Sequence, residues 1–214
     1  MPFQNRLGHT SSDQFKAITD GMSKVSNSIE AVFRKIGEFK ILDERLVPYG
    51  LKPIARSISW LVEQIIVQNL KKYKDECGLI SVRDPPHALA QYDCILLPKG
   101  EQREYYVNVK TSLTTTDESG NFDISKAPKL VQLYEQIPDL VLLVVIARVS
   151  INGVWIRFAK PTIFNVAWVP NIYYNRANHN LQSTADGTQL RRSNEDFVNQ
   201  LKQLMNQAGH LTHY

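Results

Sequence analysis

The chain has 214 residues, 43% of them hydrophobic and 21% charged, which suits a folded domain and excludes a disordered chain. There is no run of about eighteen apolar residues, so no membrane helix is expected, and the opening MPFQNRLGHTSSDQF lacks the charged-then-apolar pattern of a secretion signal. The net charge of +4 is mild and compatible with a polyanionic partner, while Cys77 and Cys94 form no disulfide framework and point to a reducing, cytoplasmic setting. No internal repeat, zinc-ligand spacing or phosphate-binding glycine loop occurs, so no organic cofactor is expected.

From Ser11 to about residue 38 the period is helical. Ser11 with Gln14 has the form of a capping box. Phe15, Ile18, Met22, Val25, Ile29, Val32 and Ile36 then recur by three and four. Such a stripe either packs on its own domain or forms a seam with a second subunit. On the second reading residues 1–45 are an N-terminal helical arm, a dimer element, and residues 46–214 are the main domain. LVPYGLKP breaks the chain at 46–53. A second helix is expected from Pro53 to about Lys74, burying Ile54, Ile58, Leu61, Val62, Ile65, Ile66 and Leu70, with Glu63 just off that face.

The period then changes. GLISV (78–82), YDCILL (92–97) and EYYVNVKTS (104–112) read as strands, the last two joined as a hairpin by PKGEQR. LTTTDESGNFD reads as a polar loop and SKAPKLVQLYEQ as a helix with Pro128 near its start. LVLLVVIARV (140–149) is nearly continuously apolar, as a strand covered on both faces is. GVWIRFA pairs with it across a turn, and TIFNVAWV adds an edge strand. PNIYYNRANHNLQSTADGTQLRR (170–192) shows no regular period and reads as a long functional loop. Ser193 caps a last helix with Phe197, Val198, Leu201, Leu204 and Met205 inward. The expected class is mixed α/β (α+β): a mixed central sheet with helices on its faces.

Alternate residues of a strand share a face, so Asn108 and Lys110 point the same way. A hairpin turning at 98–103 brings residues 92–94 beside roughly 107–110, so Asp93 converges on that pair. An acidic oxygen, an amide oxygen and an ammonium suit phosphodiester hydrolysis. A hard cation such as magnesium takes oxygen ligands, and a lysine offsets charge growing on the phosphate.

The pattern YDCILLPKGEQREYYVNVKT, with Glu63 on the helix before it, resembles the PD-(D/E)xK nuclease superfamily, in particular type II restriction endonucleases, over residues 53–149. The resemblance implies a restriction-endonuclease-like core and magnesium-dependent cleavage of double-stranded DNA, with manganese as a substitute. It implies Asp93 as metal ligand, Asn108 in the second-carboxylate position, Lys110 as catalytic lysine and Glu63 as supporting carboxylate. Asp93, Asn108 and the Val109 backbone carbonyl form the expected metal set. Asn108 departs from the usual Asp or Glu, removing one negative charge while keeping an oxygen.

The expected DNA contacts are Thr111, Ser112, Lys126 and Lys129 near the site. In the 170–192 segment they are Tyr173, Asn175, Arg176, Asn178, Asn180 and Gln182, whose side chains match base edges, with Arg191 and Arg192 on phosphates. The expected function is a sequence-specific endonuclease leaving 5′-phosphates, acting as a homodimer because two-fold symmetry fits a palindrome. A structure-specific repair or junction nuclease on the same fold, and a catalytically disabled DNA-binding protein, are the alternatives.

Overall fold

The strand expected at 140–149 is the centre of the structure. A computed structural model describes residues 12–50, 55–87, 90–114, 122–183 and 189–210 of the chain. In it β6 (Leu142–Asn152) is buried over most of its length, Leu142 to Val145 completely. Its apolar side chains need cover on both faces and its backbone needs partners on both edges. One edge takes β4 (Tyr105–Leu113), in parallel register from Tyr106↔Leu142 to Leu113↔Val149. The other edge is shared end to end. β7 (Trp155–Phe158) pairs with residues 149–152 and β8 (Thr162–Asn165) with residues 143–146, both antiparallel.

The remaining strands extend this sheet outward. β3 (Cys94–Pro98) and β2 (Leu79–Arg83) continue from β4, giving the order β1-β7-β6-β4-β3-β2 with β8 beside β6, seven strands in all. The outermost strand β1 (Glu38–Lys40) was not foreseen in the sequence, where this stretch continues the first helix. That helix, α1 (Ser12–Ile36), stops because Gly37 adopts φ +62° and its N–H returns to Phe33 O at 3.0 Å. Ser11 and its capping box lie outside the described residues.

The apolar stripe of α1 is covered by the chain itself. Ile18, Met22, Val25, Ile29, Val32 and Phe33 are buried in the single core, and α1 packs on α2 (Ala55–Lys72) and β3. Of the two readings of the stripe, packing on its own domain is the one observed. α2 buries Ile58, Val62, Ile66, Val67 and Leu70; Pro53 and Ile54 lie outside the described residues. α3 (Ala127–Gln136) and α4 (Asn194–His210) pack together through Tyr134 and Phe197, with ring centroids 5.1 Å apart. Ser193 caps α4 as expected. Its Oγ accepts from Asp196 N at 3.0 Å and its hydroxyl donates back to the Asp196 carboxylate at 2.7 Å.

The segment 170–192 is not an irregular loop. β9 (Ile172–Asn175) and β10 (Asn180–Ser183) form a hairpin, and β10 also pairs with β5 (Phe122–Lys126), which spans the end of the stretch read as a polar loop and the start of the one read as a helix. These strands are four or five residues long. Only one of their faces is buried, by Ile172, Leu181 and Ser183, so no apolar run marks them. The class is mixed α+β, with a mixed central sheet, a second small sheet and four α-helices among the described residues. Among the described residues no helix is long and apolar enough to cross a membrane.

Gly21, in the middle of α1, has a packing reason. A Cβ built there would lie 1.6 Å from the hydroxyl oxygen and 2.4 Å from the ring carbon Cζ of Tyr105, which is fully buried. Alanine gains about 1 kcal/mol of helix propensity over glycine, but overpacking against a ring that cannot move aside costs more. Gly21→Ala is therefore expected to destabilise the chain by about 1–3 kcal/mol, seen as a lower urea midpoint. Tyr105→Phe, which removes the nearest clashing atom, is expected to restore part of the loss.

Candidate active site

β3 begins only at Cys94, opposite Val107, and Asp93 leaves the ladder at a bend. Its own N–H still reaches Val107 O at 2.7 Å. Two residues further along β4 there is no β3 residue to pair with, and the Asp93 carboxylate takes that place. Its Oδ2 accepts from Val109 N at 2.6 Å. In an extended strand the N–H and C=O of one residue face the same neighbour, so the Val109 carbonyl is directed to the same side, past the start of β3.

Three charged groups meet here. Burial is the main effect that raises the Asp93 pKa, against which the Val109 N–H and the Lys110 ammonium act. Glu63, from α2, is pushed up to about 7, first by burial and then by the charge of Asp93, with Lys110 opposing. The helix, the bend and the strand thus bring Glu63, Asp93 and Lys110 within electrostatic reach of one another, as the chain order had suggested. Two carboxylates facing one ammonium in a partly buried place lack positive charge.

Asn108 is 5% exposed, and its amide nitrogen donates to two main-chain carbonyls, Gln91 O at 3.2 Å and Ile124 O at 3.3 Å. It therefore ties three segments together: β4, the loop before Asp93 and β5. A carbonyl only accepts, so the amide must turn its NH₂ towards these partners, and only its Oδ1 is left to face a cation. The bond from Ser125 Oγ to Gln91 Oε1 reinforces the same joint. Gln91 was missed in the sequence because nothing marks a loop glutamine as a partner of a strand residue seventeen positions on.

The oxygens available to a hard cation are the two carboxylates, Asn108 Oδ1 and the Val109 carbonyl. Among the described residues no three His, Cys, Asp or Glu side chains form a metal-binding group, so any cation here relies on neutral oxygens as well. The donor set fits magnesium, which takes oxygen ligands and few of them from protein. Burial first, and the Asp93 charge second, raise Glu63, so a cation placed between the two carboxylates would favour its ionised form.

The expected DNA-contacting residues divide. Ser112 lies on the Lys110 face and is half-buried. Thr111 lies on the opposite face, and its hydroxyl is buried without a partner, which corrects its reading as a backbone contact. Lys126 is exposed and donates to Asn178 O. Lys129, also exposed, borders a 420 Å³ cleft between α3 and the loop holding His87, Gln91 and Tyr92. Arg191 is exposed, but Arg192 is not a phosphate contact. Its guanidinium donates to Ala167 O, Val169 O and Gln200 Oε1 and lies 5.3 Å from the Phe197 ring centroid. The extended segment before α4 carries this side chain inward, where it clasps the short helical turn at 166–168.

In the small sheet Tyr173, Asn175, Asn180 and Gln182 share a face, because Asn180 pairs with Asn175 and Gln182 with Tyr173. Arg176 is exposed on the turn between them. A residue with no sequence signal organises this face. The Asp123 carboxylate accepts from Asn180 Nδ2 at 2.7 Å, Gln182 Nε2 at 2.7 Å and Asn178 Nδ2 at 3.3 Å. No protein-family model matches the chain, and no curated protein matches its sequence.

Two outcomes follow from this geometry. Asn108→Asp replaces a donor by a charged acceptor against two carbonyl oxygens, and is expected to cost about 2–4 kcal/mol in metal-free urea unfolding. The loss should deepen as pH rises above the carboxylate range. Glu63 binds its proton more tightly folded than unfolded, so metal-free stability falls as pH rises from 4.5 to about 7. Glu63→Gln should remove that fall. It should match the parent near pH 4 and exceed it at pH 8 by on the order of 1–2 kcal/mol, after discounting a half-exposed group for solvent screening.

Proposed function

We propose that the chain is a magnesium-dependent, sequence-specific double-stranded DNA endonuclease of the restriction type. One observation carries this reading: the Asp93 carboxylate, seated on the Val109 N–H beside Lys110 and the raised Glu63. That set pairs anionic and neutral oxygens with an ammonium at the open end of a strand, which is what hydrolysis of a phosphodiester requires.

Asp93 and Glu63, with Asn108 Oδ1 and the Val109 carbonyl, would hold the cation. When bound, magnesium polarises the scissile phosphate and makes a coordinated water more acidic. Lys110 orients the attacking water through its ammonium and offsets charge growing on the phosphoryl oxygens. Water oxygen bonds to phosphorus and the P–O3′ bond breaks. The water's proton passes to solvent and the 3′ oxygen is protonated, leaving a 5′-phosphate and a 3′-hydroxyl. Val109 N–H keeps the Asp93 carboxylate aimed while this happens. Homodimerisation, which would present two such sites to the two strands of a palindrome, belongs to the same proposal.

Plasmid DNA incubated with the protein and magnesium should yield discrete fragments, and chelation with EDTA should abolish them. Lys110→Ala should lower the cleavage rate by at least about 100-fold while the chain still unfolds cooperatively in urea. Nicking confined to branched or damaged DNA would favour the repair or junction nuclease. Binding without cleavage in magnesium or manganese would favour the disabled DNA-binding protein. Normal cutting by the Lys110 variant would sink the site assignment.

A further inference from the structure

The small sheet β5-β10-β9 carries a polar face whose hydrogen-bonding directions are already set, and those directions are informative. A carboxylate can only accept, so Asn180 and Gln182 must turn their NH₂ groups towards Asp123. What they turn away from it is oxygen. Asn175 is held the other way round. Its Oδ1 accepts from Ala177 N at 3.0 Å, which leaves its NH₂ as the outward group. Asn178 is used twice over, its amide on Asp123 and its oxygen on Asn180 N, and is internal to the turn.

Asn180 and Asn175 are direct cross-strand partners, so their side chains stand about 5 Å apart at Cβ. One presents an acceptor and the other a donor, side by side. In the DNA major groove adenine alone presents the complement on one base, an N6 amino donor beside an N7 acceptor. Guanine presents two acceptors there, and cytosine a donor only. Gln182 adds a second acceptor one step along the strand, next to Tyr173, which is 48% exposed.

Two further observations point to a duplex as the occupant of this face. The exposed cations Lys126 and Arg176 flank it, and Asp123 is compensated by three amide donors. The face is also anchored to the site. Ile124, the neighbour of Asp123, accepts from Asn108 on the catalytic strand, and Ser125 bonds Gln91 in the loop before Asp93. The small sheet is thereby tied to the strand that carries Lys110.

We infer that Asp123 is a positioning residue for base recognition, orienting Asn180 and Gln182 as acceptors so that, with Asn175 as donor, the small sheet reads adenine in the major groove. This rests on the proposed endonuclease reading and adds to it the base that is read. Asp123 itself touches no reacting atom.

The test separates reading from cutting. Duplexes bound by the full-length protein without added metal are selected from a randomised pool, and cleavage of the same pool is followed in magnesium. The wild type should select sites containing adenine. Replacing such an adenine by 7-deazaadenine, which lacks N7, or by 2-aminopurine, which moves the amino group to the minor groove, should weaken binding about ten- to hundred-fold. Asp123→Ala should lose most of that discrimination, its affinities for the adenine and 7-deazaadenine duplexes converging while its urea unfolding stays cooperative, a split that a merely structural role would not give. Asp123→Asn, close in shape, should show an intermediate loss. Cutting without adenine preference, or an unchanged preference in Asp123→Ala, overturns this inference and leaves the nuclease reading standing. Selective adenine binding without cleavage overturns the nuclease reading and supports this one. No DNA binding at all overturns both.

Discussion

The first half of β6, Leu142 to Ala147, has no polar face, and much of the architecture follows from hiding it. A strand buried on both sides needs helices above and below and a partner along each edge. The partner on one edge, β4, runs parallel to it. Parallel neighbours cannot be joined by a tight turn, so the chain must leave the sheet and cross over. That crossover contains β5 and α3. The strand that carries Lys110 is thus followed at once by the strand that carries Asp123. The proximity of the small sheet to the candidate site is a consequence of topology.

Asn108 sits where these two demands meet. A carboxylate at this position would bring charge to a cation, as the resemblance to the nuclease superfamily implies. The same position, however, faces two main-chain carbonyls, from Gln91 and Ile124, that only a donor can satisfy. Leaving both without a donor, with a negative charge beside them, costs more than a neutral ligand loses in cation affinity at one of several oxygens. On the proposed nuclease reading, the amide is a compromise between holding the crossover against β4 and serving the site, and Glu63 and Asp93 would then supply the anionic charge.

How much of this was legible in the sequence depended on whether the signal was apolar. β6, α2 and the β3–β4 hairpin announce themselves by runs and periods of Ile, Val and Leu, and the register that brings Asp93 beside Val107 to Val109 follows from the hairpin's length. Ser193 was legible because a cap is a local matter. The β9–β10 hairpin was not, because its outer face is amide and phenol and its inner face too short to show a period. Arg192 looked like a phosphate contact beside Arg191 because nothing in a sequence tells which of two adjacent arginines turns inward. Thr111 was misread because its neighbours on the strand drew attention to the other face. Asp123 and Gln91 act through partners about sixteen to sixty residues away in the chain, beyond the reach of any local pattern.

The fit of Gly21 against Tyr105 is a constraint on ancestry as well as on packing. The ring fills the space a side chain at position 21 would need, and its buried hydroxyl finds no partner there. Neither residue touches the candidate site, yet neither is free to drift alone. In related chains a larger residue at 21 should be tolerated only where the residue at 105 has become smaller, so the two positions should vary together. That paired change would mark common descent of the α1–β4 contact even where the site residues themselves have diverged.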